Sequence, residues 1–485
     1  MNDLPFALPC SVDELPEVFR QVHLPLGYWA HERPQALALA SETRQWTFAE
    51  LHARVMRRAR AHAQAQAAST VLLPPRLGTV DTLVEFLAVL ASGRCAAIGD
   101  PAWPPEVQAG VRASIAALPP APQAAGDLKP FYIGFTSGTS GQPKGFRRHH
   151  RSWTQSFCAA LRDWGGAACG PMIAPGRMHH SLFLFAALMG LWTGAGAVVQ
   201  EHFSAQRTWA DLVAHPGAVL VGVPSQLLVL LAFAHRRRHA GCATAALVLI
   251  SGARWMREHT PRLRQLLTGA RIIEFYGASE TSFVAWMAAD PNAPGQAVGH
   301  AFSNVSLCIG DSPQRPLPTG TPGRIWVRSA MQFMDYVHAK DGSAALCDEG
   351  WLSVRDVGWL DADGLLHLRG RESRMLVTAG RNVFPEEVET RLMQHPAVAQ
   401  ASVLGLPDEL RGQCVHAVVQ LRAGSHPTVD ELARWCRLAL EACKCPRHWW
   451  RWTREWPQTR SGKTDHAAIA RLLWADEPGG LDPWR

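Results

Sequence analysis

Short β-branched runs alternate with longer Ala/Leu/Arg-rich runs along most of this chain, a pattern that a layered α/β architecture satisfies. Two uncharged stretches, 181–199 and 216–234, test that reading because each is long enough to span a bilayer. In the first, Gly194-Ala195-Gly196 separates a helical run from the β-like Ala197-Val198-Val199. In the second, Pro224-Ser225 ends the β-like run 219–223 and offers an N-cap for a helix over the remainder of the stretch. Both are expected to be strand and helix pairs of a buried core, with no membrane span. At 485 residues more than one domain is expected, because single cores stop growing near roughly 250–300 residues. A composition shift near Gly370-Arg371 suggests an N-terminal domain over 1–370 and a C-terminal domain over 371–485. The Pro- and Ala-rich segment 119–126 reads as a loop.

With 47% apolar and 18% charged residues, the chain excludes disorder and a small disulfide scaffold. Its net charge of +7 includes no basic run longer than Arg236-Arg237-Arg238, which favours an anionic small ligand or an acidic protein partner over nucleic acid. The 11 cysteines are mostly far apart, as reduced thiols are in a cytoplasmic protein, and Met1-Asn2-Asp3-Leu4-Pro5-Phe6 has no secretory pattern. Cys436, Cys443 and Cys445 near His448 lack the C-x2-C spacing of a zinc site.

The most informative segment comes after the apolar run 131–135: Thr136-Ser137-Gly138-Thr139-Ser140-Gly141-Gln142-Pro143-Lys144-Gly145. Small hydroxyl residues and glycines let backbone N–H groups and hydroxyls approach phosphate oxygens, and Lys144 adds a compact positive charge. Pro143 before the lysine, with no hydroxyl residue after it, disfavours the Gly-x4-Gly-Lys-Ser/Thr loop and its helix.

This segment resembles the signature of the adenylate-forming superfamily, which includes acyl-CoA and aryl-CoA synthetases, adenylation domains and luciferases. Further elements similar to that superfamily's motifs occur in order: Trp46-Thr47-Phe48-Ala49-Glu50-Leu51, the run 88–93 leading to Asp100-Pro101, Glu274-Phe275-Tyr276-Gly277-Ala278-Ser279-Glu280-Thr281, Gly350-Trp351-Leu352 through Asp356 and Gly364, Gly370-Arg371 through Gly380 and Glu389, and Pro457 through Gly462-Lys463. The resemblance implies a large layered α/β N-terminal domain and a small, mobile α+β C-terminal domain. It implies ATP-dependent activation of a carboxylic acid to acyl-AMP with release of pyrophosphate. Acyl transfer to the thiol of CoA, or to the phosphopantetheine of an acidic acyl carrier protein, would come second.

By the same resemblance, Lys463 is the catalytic lysine that bridges substrate carboxylate and α-phosphate, and the 136–145 loop holds the β- and γ-phosphates. Glu280 helps bind Mg²⁺, Tyr276 stacks on adenine beside Gly277, and Ser279 donates to the α-phosphate. Asp356 accepts from the ribose hydroxyls with Arg371 nearby, and Gly252 belongs to the same nucleotide site. Gly380 leaves room for a phosphopantetheine arm when the C-terminal domain rotates about a hinge at Ser373. The chain departs from the pattern in Val354-Arg355 for Thr-Gly, Arg324 for Glu, His466 for Arg and Ser373 for the usual Asp or Lys.

The acyl pocket is expected to begin at Met178-His179-His180-Ser181, where amino-acid-activating members carry an Asp. No carboxylate lies in this stretch, so an α-amino acid is disfavoured. His180, a catalytic candidate with Lys463 and Glu280, borders the acyl site or hydrogen-bonds a substituent on the acid, or is a satisfied core histidine, and nearby Trp and Phe residues rank an aryl acid above a fatty acid. Arg147-Arg148-His149-His150-Arg151 and the tail arginines Arg447, Arg451, Arg454 and Arg460 offer charge for CoA or a carrier protein, or form a solvated face. Seven tryptophans in 435–485 are interface anchors or packing. The competing class is a non-catalytic member that binds ATP or an acyl-adenylate, or a basic scaffold.

Overall fold

The computed structural model describes residues 4–6, 12–64, 68–118, 125–137, 143–337, 345–459, 463–474 and 481–484. It divides into two compact units: Met1–Ala293 with Val298–Leu307 and Val327–Val354, and Pro294–Ala297 with Cys308–Trp326 and Arg355–Arg485. Residues 308–326 and 355–371 group with the smaller unit, ahead of the 370/371 junction suggested by composition.

In the larger unit, Ala197–Val199, Met172–Ala174, Val219–Gly222, Leu247–Ile250 and Arg271–Ala278 lie side by side in parallel. Helices Ser181–Thr193, Ala205–Ala214, Pro224–Arg237 and Thr260–Leu266 make the connections, as parallel pairing requires. The first four of these strands are buried throughout, which is why they read as uninterrupted apolar runs. The two uncharged stretches resolve into the expected pairs. Gly194 and Gly196 take the left-handed turn out of the helix. The second helix is capped differently from expectation: Val223 is the N-cap, Pro224 takes the first helical position, and Val223 N–H donates to Gln226 Oε1 at 3.2 Å. Ser225 lies inside the helix. Among the described residues no helix is long and apolar enough to cross a membrane.

A second sheet of this unit runs Asp335–Val337, Pro143–His149, Pro130–Ser137, Cys95–Ala97, Thr70–Leu72, antiparallel at the first two pairings and parallel thereafter. The main core packs Trp29, Phe157, Trp164, Leu184 and Trp192 against both sheets' apolar faces.

In the smaller unit, Asp356–Leu360 pairs antiparallel with Leu366–Arg371. Its C-terminal sheet is built on the hairpin Val398–Asp408 and Gly412–Leu421, extended by His448–Trp452 in parallel. Helices Pro385–Met393 and Val429–Arg437 cover one face through Val388, Leu392, Leu432 and Cys436. Helix His466–Trp474 covers the other through Ile469, against Val418, Trp452 and Trp456. Trp449, Trp452 and Trp456 are buried, Trp450 and Trp484 pack partly buried against the same clusters, and Trp474 is exposed. The α/β class and the large-plus-small organisation are as expected.

Candidate active site

Open α/β sheets bind ligands beyond the carboxyl ends of their parallel strands. His180, Gly252 and the segment from Tyr276 to Glu280 all lie there, after Met172–Ala174, within or after Leu247–Ile250 and Arg271–Ala278 respectively. Arg271–Ala278 runs parallel to its neighbour as far as Glu274, then continues as one arm of an antiparallel hairpin with Ser282–Ala288. The loop Ser279-Glu280-Thr281 closes it, with Ser282 in the left-handed region (φ 57°). Thr281 ties the loop locally: Ala278 N–H donates to Thr281 Oγ1 at 3.1 Å, and Thr281 N–H to the Ala278 carbonyl at 3.2 Å. A Cβ at Gly277 would lie 2.0 Å from the Ser282 carbonyl oxygen. Gly277→Ala is therefore expected to destabilise the hairpin by about 2–3 kcal/mol, read as a lower urea midpoint.

Glu280 is held from two sides. Its carbonyl accepts from Phe333 N–H at 2.7 Å, and its Oε1 accepts from the Tyr336 hydroxyl at 2.7 Å. Burial, then the Glu280 carboxylate, push the Tyr336 hydroxyl above its ordinary pKa, so it remains a donor. Beneath lies Arg148, 1% exposed, donating to the carbonyls of Ser279 at 2.5 Å and Met331, and to Ser152 Oγ at 3.2 Å. Burial lowers its pKa to about 9, opposed by the Glu280 charge, and it stays cationic at neutral pH. One guanidinium fork thus pins the Glu280 loop to the 331–336 segment. A carboxylate held in one plane by a phenol is a hard oxygen donor, which fits Mg²⁺.

Arg147 forms a two-pronged pair with Asp335, 2.9 Å from Nε to Oδ1. That pair sits in the ladder joining Asp335–Val337 to Pro143–His149, where Tyr336 faces Phe146. Lys144 lies two residues along the same strand, opposite Thr136 in the hairpin with Pro130–Ser137. The ladder therefore ties the strand of Lys144 to the tyrosine that orients Glu280. Ser137 faces Pro143 in this hairpin. Gly138, Thr139, Ser140 and Gly141 lie outside the described residues.

The 147–151 patch, read as charge for CoA or a carrier protein or as a solvated face, is instead largely engaged within the protein. Arg147 and Arg148 are engaged as described, His149 and His150 are part of the packing, and Arg151 pairs with Asp127 and Asp13. Charge pattern does not reveal burial, and these side chains face their own protein.

His180 is the N-cap of Ser181–Thr193, its ring 4.0 Å from that of His179 and 6.2 Å from Phe183. His179 Nε2 stands 3.9 Å from Asp100 Oδ1, a carboxylate contributed by a distant segment. Gly252 has φ 84°, and the preceding Ser251 hydroxyl donates to the Phe275 carbonyl at 3.0 Å.

In the smaller unit Asp356 and Arg371 are cross-strand partners, with Arg371 Nε donating to Asp356 Oδ1 at 3.1 Å. Asp356 is buried, while Arg371 is largely exposed. Arg355 holds φ 64°, where the resemblance expects glycine; a side chain there costs about 1–2 kcal/mol. Its guanidinium and that of Arg324 both face Glu372, at 3.6 and 2.9 Å. Arg324 thus has its carboxylate partner beside Ser373. Gly380 (φ 73°) and Ala379 (φ 49°) form the two-residue turn between Leu376–Thr378 and Arg381–Val383, which requires φ > 0 at both positions. No atom lies within 4 Å of a Cβ built on Gly380. Beside it, Thr378, Ala379, Arg411, Cys443 and Arg447 line a pocket.

Lys463 N–H donates to Thr459 Oγ1 at 3.2 Å, and the Lys463 carbonyl accepts from Thr459 N–H at 2.6 Å. His466 turns inward to Ser402 Oγ at 2.8 Å and Arg374 at 3.2 Å, and burial lowers its pKa to about 4. It is a packing residue. Arg460 lies outside the described residues.

Sequence comparison adds independent findings. Residues 60–337 match the family model described as AMP-binding enzyme, and residues 387–463 match the AMP-binding enzyme C-terminal domain. The chain is 34% identical over 346 residues to the uncharacterized acyl–CoA ligase YhfT of Bacillus subtilis, spanning 71% of this chain and 69% of that protein. It is 28% identical to the fatty acid–[acyl-carrier-protein] ligase ScoC of Streptomyces coeruleorubidus, over 70% of this chain and 67% of that protein. The O-succinylbenzoate coenzyme A synthetase of Bacillus subtilis in complex with AMP shares the fold, at TM-score 0.78 and 21% identity, covering 92% of this chain and 97% of that one. The chain belongs to the AMP-binding enzyme family, within the adenylate-forming superfamily.

Proposed function

We propose that this enzyme activates a carboxylic acid with ATP, forming acyl-AMP and pyrophosphate, and then transfers the acyl group to a phosphopantetheine thiol. The observation that carries the reading is Glu280, held in place by Tyr336 and Arg148 at the carboxyl end of the parallel sheet. A substrate carboxylate oxygen attacks the α-phosphorus, and the bond to the bridging oxygen of pyrophosphate breaks. Lys463 brings positive charge to the two anions that must meet. Glu280 would hold Mg²⁺, which neutralises phosphate charge when bound. Thr136, Ser137, Lys144 and the intervening loop grip the leaving phosphates, Tyr276 carries the adenine, Ser279 donates to the α-phosphate, and Asp356 with Arg371 holds the ribose. In the second step a thiolate attacks the acyl carbon and AMP leaves, with a lid beginning near residue 371 turning about Ser373 to present Gly380.

An aryl acid is favoured, on the aromatic side chains beside His180, with a fatty acid next. Arg411 and Arg447 beside the Gly380 turn suit a phosphate-bearing thiol. The relatives include a sulfoacetate–CoA ligase from Cupriavidus necator and a carrier-protein ligase, so both acceptor classes are tested. Offering CoA and a phosphopantetheinylated carrier protein with ATP, Mg²⁺ and an acid panel is expected to give one acylated acceptor by intact mass. ATP binding with no acylated product on either acceptor would favour the non-catalytic reading.

A further inference from the structure

The C-terminal sheet carries a group of side chains that adenylation does not use. Along Gly412–Leu421, Val415, Ala417 and Val419 point into the core under Pro385–Met393, while Val418 points to the opposite face against Trp452 and Ile469. On that second face, two and four residues before Val418, the apolar pattern gives way to His416 and Cys414. His448 stands beside His416 as its direct partner in the parallel pairing. Alternation along one strand and register across two thus place a thiol and two imidazoles on one patch. Their ligand atoms lie within 4.8 Å of one another, the single such group of three among the described residues.

We infer that Cys414, His416 and His448 bind one Zn²⁺-class divalent transition-metal cation. A thiolate with two imidazoles suits zinc, cobalt or copper and suits magnesium or calcium poorly. In a tetrahedral site the three ligand atoms stand about 3.3–3.6 Å apart, so side-chain rotation of the order of an ångström closes the group on an ion. Cys414 and His416 are buried while His448 is exposed, so the patch has a rigid floor and a solvent-facing side for entry and for a fourth ligand. Trp450 Nε1–H donates to His416 Nδ1 at 3.2 Å in the metal-free site. Coordination through Nδ1 displaces the indole, and coordination through Nε2 moves the ring proton to Nδ1 and turns the indole away. Either way that hydrogen bond is lost. As the metal–sulfur bond forms, the Cys414 thiol proton passes to solvent.

The test is titration of the reduced, metal-free full chain with Co²⁺. One equivalent is expected to give a near-ultraviolet thiolate-to-cobalt charge-transfer band that Zn²⁺ removes. Cys414→Ser should abolish the band, and His448→Ala, at an exposed position, should weaken binding at least tenfold, with far-ultraviolet circular dichroism unchanged in both. Cys443→Ser with Cys445→Ser should leave the band intact. No band in excess Co²⁺, a band that survives Cys414→Ser, or one lost only with Cys443 and Cys445 overturns the site. None of these readouts depends on ligase activity.

Discussion

Lys463→Ala is expected to lower acid-dependent pyrophosphate release by two to three orders of magnitude, about 3–4 kcal/mol of transition-state stabilisation. Lys463 shares two hydrogen bonds with Thr459, and Trp456 Nε1 donates to the neighbouring Thr464 Oγ1 at 3.1 Å. On the proposed reading, its charge serves both reacting anions. Since the charge acts between the reacting groups, kcat falls far more than the KM for ATP rises. Transfer from a supplied acyl-adenylate to the thiol should be largely retained, which separates this role from a general loss of folding. Lys463→Arg should recover little, because a planar fork replaces a compact ammonium.

The second large effect is on stability. Arg148→Ala removes a buried guanidinium that serves the carbonyls of Ser279 and Met331 and the hydroxyl of Ser152, leaving both carbonyls without this donor, that of Met331 in a buried setting. The expected cost is about 3–5 kcal/mol, seen as a lower urea midpoint followed by tryptophan fluorescence. Activity should fall with it, because the Glu280 loop loses its tether to the segment carrying Tyr336. Arg148→Lys keeps the charge yet cannot reach both carbonyls in one plane, so it should recover only part of either loss. Tyr336→Phe, which removes the 2.7 Å contact to Glu280 and a backbone contact with Ala345, should weaken catalysis with a much smaller change in stability.

Arg148 and Tyr336 mark where the sequence stops being informative. The strand and helix pairs of the uncharged stretches are readable because glycine and proline punctuate them, while Gly277 sits where the two arms of its hairpin approach closely and Gly380 in a two-residue turn. The helix cap at Val223 is not readable, since Gln226 reaches back to it by a contact that composition does not encode. Arg148 looks like part of a basic patch until the fold buries it, and Tyr336 lies 56 residues from the glutamate it orients. Both depend on pairing between Pro143–His149 and Asp335–Val337, which no local pattern announces. The same holds for His448: proximity in sequence points to Cys443 and Cys445, whereas register across the sheet gives it His416 and Cys414. Arg324 and Arg355 look like simple departures from the expected Glu and Gly. They share one carboxylate, Glu372, and Arg355 keeps the glycine-like backbone of the position it fills.

The most direct test of the central claim is exchange of radiolabelled pyrophosphate into ATP, which reports reversible adenylate formation before any thiol is involved. With Mg²⁺ and a panel of aryl and short- to long-chain acids, exchange is expected only when a matching acid is present, and is expected to collapse in Lys463→Ala. Absence of acid-dependent exchange across the whole panel in folded, ATP-binding protein would contradict it.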